Sequence, residues 1–364
     1  MRNLCTLLVT TLISLGLLAA AAGQETRKAD DPEKVLAAAL KAFKQKDDVE
    51  QRIEAASTLA DFGPKAIPAL PELLEAVQDK NEDLRLNASL VLAKIGPEAI
   101  KPLAKLLASD DASNRFYAVW TLGLIGPDAK EAIPAVIKLT KDKDEGVRRK
   151  AVGALGRLAG DPDKVIDVLV NAFRDENEDV RQAASESLAK YGKPAVPALI
   201  ELLKENNAAA RMQAATALGE IGSDAKDAVP LLREQFLAKE IQHAQHYALV
   251  LAKIGKPAMP ALEAGLKDGR NEVRHAASAA LQQAGADAVG VLIDALGDKN
   301  VEVRRIAAMT LFPMRIGDKT VVIALAFGLN DPDDVVRQYC MNGLAQLGPQ
   351  AKLGSAKIKE ALHD

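Results

Sequence analysis

One line of sequence recurs along this chain every 30 or 33 residues, and that period constrains the fold more than any other feature. DLRLNASLVLAKIG at 83–96 is followed by SNRFYAVWTLGLIG, DVRQAASESLAKYG, AARMQAATALGEIG, EVRHAASAALQQAG and VVRQYCMNGLAQLG. The anchor of each line is an arginine: Arg52, Arg85, Arg115, Arg148, Arg181, Arg211, Arg274, Arg304 and Arg337, with Ala244 as the one exception. Seven places after the anchor stands Leu in all ten lines, from Leu59 to Leu344. Three places after it stands Ala in eight, the exceptions being Tyr247 and Cys340. Eleven places after it stands Gly in eight, replaced by Ala159 and Arg315.

These columns predict a helix. Positions +3, +7 and +10 share one face at 3.6 residues per turn, with a small side chain where a neighbouring backbone comes close. Gly at +11 supplies the left-handed residue that ends the helix. A proline-opened amphipathic segment follows, such as AIPALPELLEAV at 66–77 or AIPAVIKLT at 132–140, with Pro in the first turn where its missing N–H costs little. An acidic turn leads to the next anchor: Asp79, Asp142, Asp175, Asp268, Asp298 and Asp331 each stand six places before one. The unit is therefore a helical hairpin, a first helix with proline and a second helix with arginine. One hairpin cannot bury its apolar face alone, so the pattern predicts an all-α, right-handed α-solenoid of about ten hairpins over 31–364. Residues 31–46 form its opening helix and Ser355 to Leu362 its closing one.

Composition agrees with this architecture. Of 364 residues 48% are hydrophobic but only 3% aromatic, so the apolar volume comes from Ala, Leu, Val and Ile, which suit close helix packing. The 47 Lys plus Arg nearly balance the 50 Asp plus Glu, which argues against bulk disorder and against a nucleic-acid-binding protein. The two cysteines cannot form a disulfide framework.

The amino terminus reads as a secretory signal peptide over 1–23: basic Arg2, an apolar stretch from Leu4 to Leu18, then small residues from Ala19 to Gly23. A retained membrane anchor is the alternative, although Thr6, Thr10, Thr11 and Ser14 dilute the apolar run. Residues 24–30 are a short linker. Cleavage takes one Arg from the 47 cations, leaving a net charge of −4 and Cys340 as the only thiol. The expected location is periplasmic or secreted, with no stable membrane insertion after cleavage.

The V-R-x-x-A-x-x-x-L-x-x-I-G line, with its acidic turn and its proline-bearing partner helix, resembles HEAT repeats, most closely the short HEAT-like type associated with phycobilisome lyases. The resemblance implies a binding scaffold more often than an enzyme. In such stacks the recurring Arg reaches an acidic turn and forms a structural ladder, each rung worth about 0 to 1 kcal/mol if partly exposed. It also implies that the second helices line a concave face. Enzymes of this class fit poorly. Deoxyhypusine hydroxylase carries His-Glu pairs, whereas here Ala276 follows His275 and Tyr247 follows His246. Bilin lyases act inside the cell, and HEAT-like DNA glycosylases need a basic surface.

Function should sit where the repeat leaves the residue free, at +1, +2, +5 and +9 of the second helix. Leu86 and Leu90, and Phe116, Tyr117 and Trp120, place large apolar groups in those columns. They are the candidate patch for a protein or peptide partner; alternatively they fill a wide groove between repeats. His243, His246 and His275 form a weaker candidate for a metal or an enzymatic site; alternatively they are solvated imidazoles, since no cysteine or spaced carboxylate completes a ligand set. The expected function is a non-catalytic, exported interaction scaffold without a cofactor. An enzyme centred on the histidines and a structural part of an envelope assembly are the alternatives.

Overall fold

A computed structural model of the chain describes residues 31–354. The expected signal segment 1–23, the expected linker 24–30 and the expected closing helix from Ser355 to Leu362 lie outside the described residues. The chain divides into two compact units, one ending at Pro102 and the other beginning at Leu103.

The first unit contains α1 (Pro32–Phe43), α2 (Val49–Phe62), α3 (Leu70–Ala76) and α4 (Glu82–Ile95), and its border falls within α5 (Ile100–Leu106). The second unit continues with α6 (Ala112–Ile125), α7 (Ile133–Leu139), α8 (Glu145–Leu155), α9 (Pro162–Ala172) and α10 (Glu178–Tyr191). Next come α11 (Val196–Leu203), α12 (Ala208–Ile221), α13 (Val229–Phe236), α14 (Ala244–Ile254) and α15 (Met259–Leu266). The last are α16 (Asn271–Ala284), α17 (Val289–Leu296), α18 (Val301–Leu311), α19 (Lys319–Gly328) and α20 (Asp334–Leu347). Ten hairpins result, and the described residues contain no strand. Within the second unit each second helix packs on the next, from α6 through α20.

The opening helix is shorter than 31–46, ending at Phe43. The proline segments also differ from one continuous helix. Those at 66–77 and 132–140 begin as a tight 3₁₀ turn, Gly63–Ala69 or Gly126–Ala132, before the α-helix starts at Leu70 or Ile133. Successive prolines remove the donors an α-helix would need; Pro68 lies inside the first of these turns and Pro71 opens α3.

The repeat columns are the core. All ten +7 leucines are at most 8% exposed, and the +3 column, including Tyr247 and Cys340, is buried throughout. Gly at +11 takes positive φ in all eight units, as expected, but its ψ is not left-handed helical. Gly96 sits at φ 84°, ψ −130°, the first central position of a type II′ turn, which glycine alone enters without strain. Ala159 and Arg315, the two substitutes, are the only non-glycine residues with positive φ among the described residues. Arg315 takes the milder left-handed helical geometry, at φ 50°, ψ 35°.

The arginine ladder exists and has two parts. Within a hairpin, the Nη1 donates to the carbonyl six residues earlier, as in Arg148 to Asp142 O (3.0 Å), Arg181 to Asp175 O (2.8 Å) and Arg337 to Asp331 O (2.7 Å). This satisfies carbonyls that the end of the first helix leaves open. Between hairpins, the guanidinium reaches a carboxylate 27 residues ahead: Arg115 to Asp142, Arg148 to Asp175 and Arg304 to Asp331, each through two hydrogen bonds of 2.7–3.1 Å. The rung forms only where the step to the next anchor is 33 residues, because then the next acidic turn falls at +27. After Arg181 the step is 30 residues, and after Arg211 it is 33 but Ala238 occupies the acidic place; in both the Nε is buried without an acceptor among the described residues. The rungs are more buried than a partly exposed ladder implies: Arg115 and Asp142 are each 8% exposed.

Candidate functional site

The second unit holds a groove where α6, α8 and α10 pass side by side, a cavity of about 210 Å³. Its residues come from the columns the repeat leaves free. Trp120 is the +5 residue of α6. Arg149, Lys150, Gly153 and Arg157 stand at +1, +2, +5 and +9 of the α8 hairpin. Gln182 and Glu186 stand at +1 and +5 of α10, with Asp179 beside them.

Small residues shape the groove. A Cβ on Gly123 would lie 3.0 Å from that of Ala154, so glycine is what lets α6 and α8 approach. A Cβ on Gly153 would meet nothing within 4 Å, so this glycine faces open space and leaves the groove unfilled.

Above it lies Lys150. Its ammonium stands 5.2 Å from the ring centre of Phe116 and 5.3 Å from that of Trp120, close enough for attraction to both π faces. Burial, then the positive charges of Arg149 and Arg157, push its pKa down to about 8. Arg149, Lys150, Arg157 and the nearby Lys190 have no carboxylate within 4.0 Å among the described residues. Burial and Arg157 lower the Lys190 pKa as well, with Glu186 pulling the other way. The acids on the opposite wall are otherwise engaged or distant: Glu186 accepts from Gln182 Nε2 at 3.0 Å.

Of the patch residues, Phe116 and Trp120 are half-buried. Tyr117 is buried at 7% exposure and joins the interior, edge-to-face with Phe116 (5.2 Å) and Trp120 (6.1 Å). Leu86 and Leu90 are 38% and 40% exposed on α4, which belongs to the first unit. The cationic residues of the α8 hairpin occupy the same free columns, but in sequence they carry no signal that separates them from a solvated helix face.

The histidines do not assemble. No group of three or more His, Cys, Asp or Glu able to hold a metal occurs among the described residues. His275 is exposed. His246 is neither a ligand in such a group nor a solvated imidazole: it is half-buried, and its Nε2 lies 3.1 Å from the Met212 carbonyl on the neighbouring α12. Burial lowers its pKa, partly offset by that hydrogen bond. It ties α14 to α12 in the one hairpin that has no anchor arginine.

A family model described as HEAT repeats matches residues 34–115, 100–189, 166–249 and 259–345. Solved structures similar to the chain include three karyopherin complexes. The karyopherin Kap121p bound to the extreme C-terminus of the protein phosphatase Cdc14p shares 14% identity at a TM-score of 0.56, over 98% of this chain and 46% of that one. Kap95p, whose binding induces the switch loops of RanGDP to adopt the GTP-bound conformation, shares 15% at 0.56, over 94% and 53%. The Kap95:Nup1 complex gives 14% at 0.57, over 96% and 54%. At such identities the likeness shows the α-solenoid fold alone, and this chain spans about half the length of those karyopherins. No curated protein matches the chain. Among the described residues no helix is long and apolar enough to cross a membrane.

Proposed function

Because the chain belongs to the HEAT-repeat family, we propose that it is a non-catalytic interaction scaffold that binds a partner protein on the face lined by its second helices. The groove at α6, α8 and α10 carries this reading. In the +3 and +7 columns that stack, every residue is buried in the core. In this groove, by contrast, Trp120 is half-buried, Gly153 leaves space unfilled, and three cations lack a carboxylate partner. A protein that needed only to stack would gain from filling that space and pairing those charges. The cavity, at about 210 Å³, is below the roughly 300–1,000 Å³ of small-molecule sites, which favours a partner's side chains over a free metabolite. The karyopherin structures, with a protein tail and other proteins bound, support by analogy the use of such a fold for protein capture.

In this reading the second-helix face is the concave one, and the scaffold works outside the cytoplasm after removal of residues 1–23. A photo-crosslinking residue at position 120, with a control at exposed Asn171 on α9, tests both parts. Partner adducts at 120 and not at 171, in protein recovered from outside the cytoplasm with its amino terminus near Gln24, are expected. Equal adducts at both positions would remove the groove from the reading, and an intact Met1 on the exported protein would remove the cleavage.

A further inference from the structure

The cations of the groove are unpaired for a reason visible in the repeat itself. Arg305, at +1 of α18, binds Asp333 through two hydrogen bonds of 3.0 and 2.6 Å. Asp333 stands four places before the next anchor, Arg337. Arg149 is the +1 residue of α8, and the place four before its next anchor, Arg181, is Asn177. Asn177 caps α10 through the same kind of side-chain oxygen, accepting from the N–H groups of Asp179 and Val180, but it brings no charge. The hairpin therefore keeps the cap, and the Asn177 Nδ2 donates to Glu145 Oε2 at 2.9 Å, which leaves that carboxylate beyond 4.0 Å of Arg149. Lys150 and Arg157 likewise have no carboxylate within 4.0 Å, so the α8 side of the groove is basic, with Asp179 and Glu186 on the opposite wall, in a chain that is acidic overall at −3.

We infer that this groove takes an acidic segment of the partner protein, with a carboxylate side chain set among Arg149, Lys150 and Arg157 and an apolar neighbour against Trp120. The inference rests on the scaffold reading and names the chemistry of its partner. A carboxylate beside Lys150 relieves the repulsion from Arg149 and Arg157 and supplies the acceptor that Asn177 does not. Charge-assisted hydrogen bonds to two or three cations in a partly desolvated groove are strong ones. Asp179 and Glu186 on the far wall set a direction: acidic groups are favoured on the α8 side only.

Panning the purified full chain on a randomised ten-residue peptide library, and sequencing the peptides it retains, tests this. The expected pool is enriched at least tenfold in Asp and Glu at one or two positions next to an apolar residue. The enrichment should vanish in Gly153→Leu, whose Cβ enters open space in the groove, and in Arg149→Glu/Arg157→Glu, whose side chains are exposed and have no carboxylate within 4.0 Å. Cooperative thermal melts no lower than the parent's in both variants show that the fold is intact. Retention of peptides enriched in Lys and Arg, or without charge bias, overturns the inference and leaves the scaffold reading standing. Acidic enrichment that survives both variants also overturns it. Displacement of the retained pool by single-stranded DNA, with direct DNA binding lost in the same variants, would assign the groove to nucleic acid instead. Retention no greater than on a blank surface would sink the scaffold reading together with its partner chemistry.

Discussion

Asp142→Ala removes one rung of the arginine ladder where it is most buried. Asp142 accepts from both Nε and Nη2 of Arg115 at 2.7 Å, and from the Asp144 backbone N–H at 2.9 Å. Both side chains of the pair are 8% exposed. Burial alone raises the Asp142 pKa; the hydrogen bonds from Arg115 and Asp144 more than reverse this and leave it below its ordinary value. Without the carboxylate, Arg115 stays buried with only the Ser109 and Asp110 carbonyls as acceptors. A buried charge stripped of its partner costs about 3–5 kcal/mol, whereas an exposed pair is worth about 0 to 1 kcal/mol. Lys204–Glu201, at 54% and 71% exposed, is the exposed control, through Glu201→Ala. Urea unfolding read by Trp120 fluorescence suits the test, because Trp120 lies one and a half turns from Arg115 on α6 and each hairpin meets only its neighbours. The rung's contribution should be complete above the ordinary aspartate pKa near 3.8 and fade as pH falls through the lower folded value. The paired change Arg115→Met/Asp142→Leu should recover most of the loss. A loss in Asp142→Ala no larger than in Glu201→Ala would mean that the ladder fixes register without supplying stability.

Three further outcomes follow from single residues. Gly96→Ala should destabilise by about 1–3 kcal/mol through backbone strain alone, since its Cβ would meet nothing within 4 Å; Gly153→Ala, in the open groove but within a helix, should stabilise by about 0.4–1 kcal/mol, and equal effects in thermal melts would contradict both. Lys150 sheds its proton near pH 8 in the folded chain and near 10.5 in the unfolded one, so the unfolded state holds more protons between those values and this site's contribution to stability rises with pH there. It faces Arg149 and Arg157 on its own hairpin, Phe116 and Trp120 on α6, and the acids Asp179 and Glu186 across the groove; Lys150→Met should raise stability at pH 7 and flatten the rise, and an unchanged denaturation profile would count against the burial of that charge. Cys340 is fully buried, with its thiol pushed up to about 12 by burial and then by Asp331, so a maleimide at pH 7 should label it only after denaturation.

The hairpins were legible because stacking fixes residue type at a fixed phase. Leu at +7 and Ala at +3 recur since each meets the same neighbour in every unit, and both columns are buried in the structure. Asp six before the anchor was legible as a turn, but which arginine it pairs with depends on unit length: the 33-residue step after Arg115 places Asp142 at +27, and the 30-residue step after Arg181 does not place an acid there. Tyr117 shares a free column with Lys150 yet is buried, because burial at +2 depends on what the adjoining helices present rather than on the period. The groove was half legible. Trp120 stood out as the sole tryptophan, while Arg149, Lys150 and Arg157 resemble any solvated helix face in sequence, and only the distances show that no carboxylate lies within 4.0 Å of them. His246 pointed to metal chemistry by its spacing and turned out to hold a carbonyl of the preceding second helix.

The sole tryptophan also offers the most direct test, since it lies in the groove and touches the cation assigned to recognition. Acidic peptides recovered from panning should be titrated into the chain while fluorescence anisotropy follows binding and Trp120 emission follows the groove. The two signals should change together with one midpoint, and added salt should weaken both. Saturable binding with Trp120 emission unchanged would place recognition elsewhere and contradict the groove assignment.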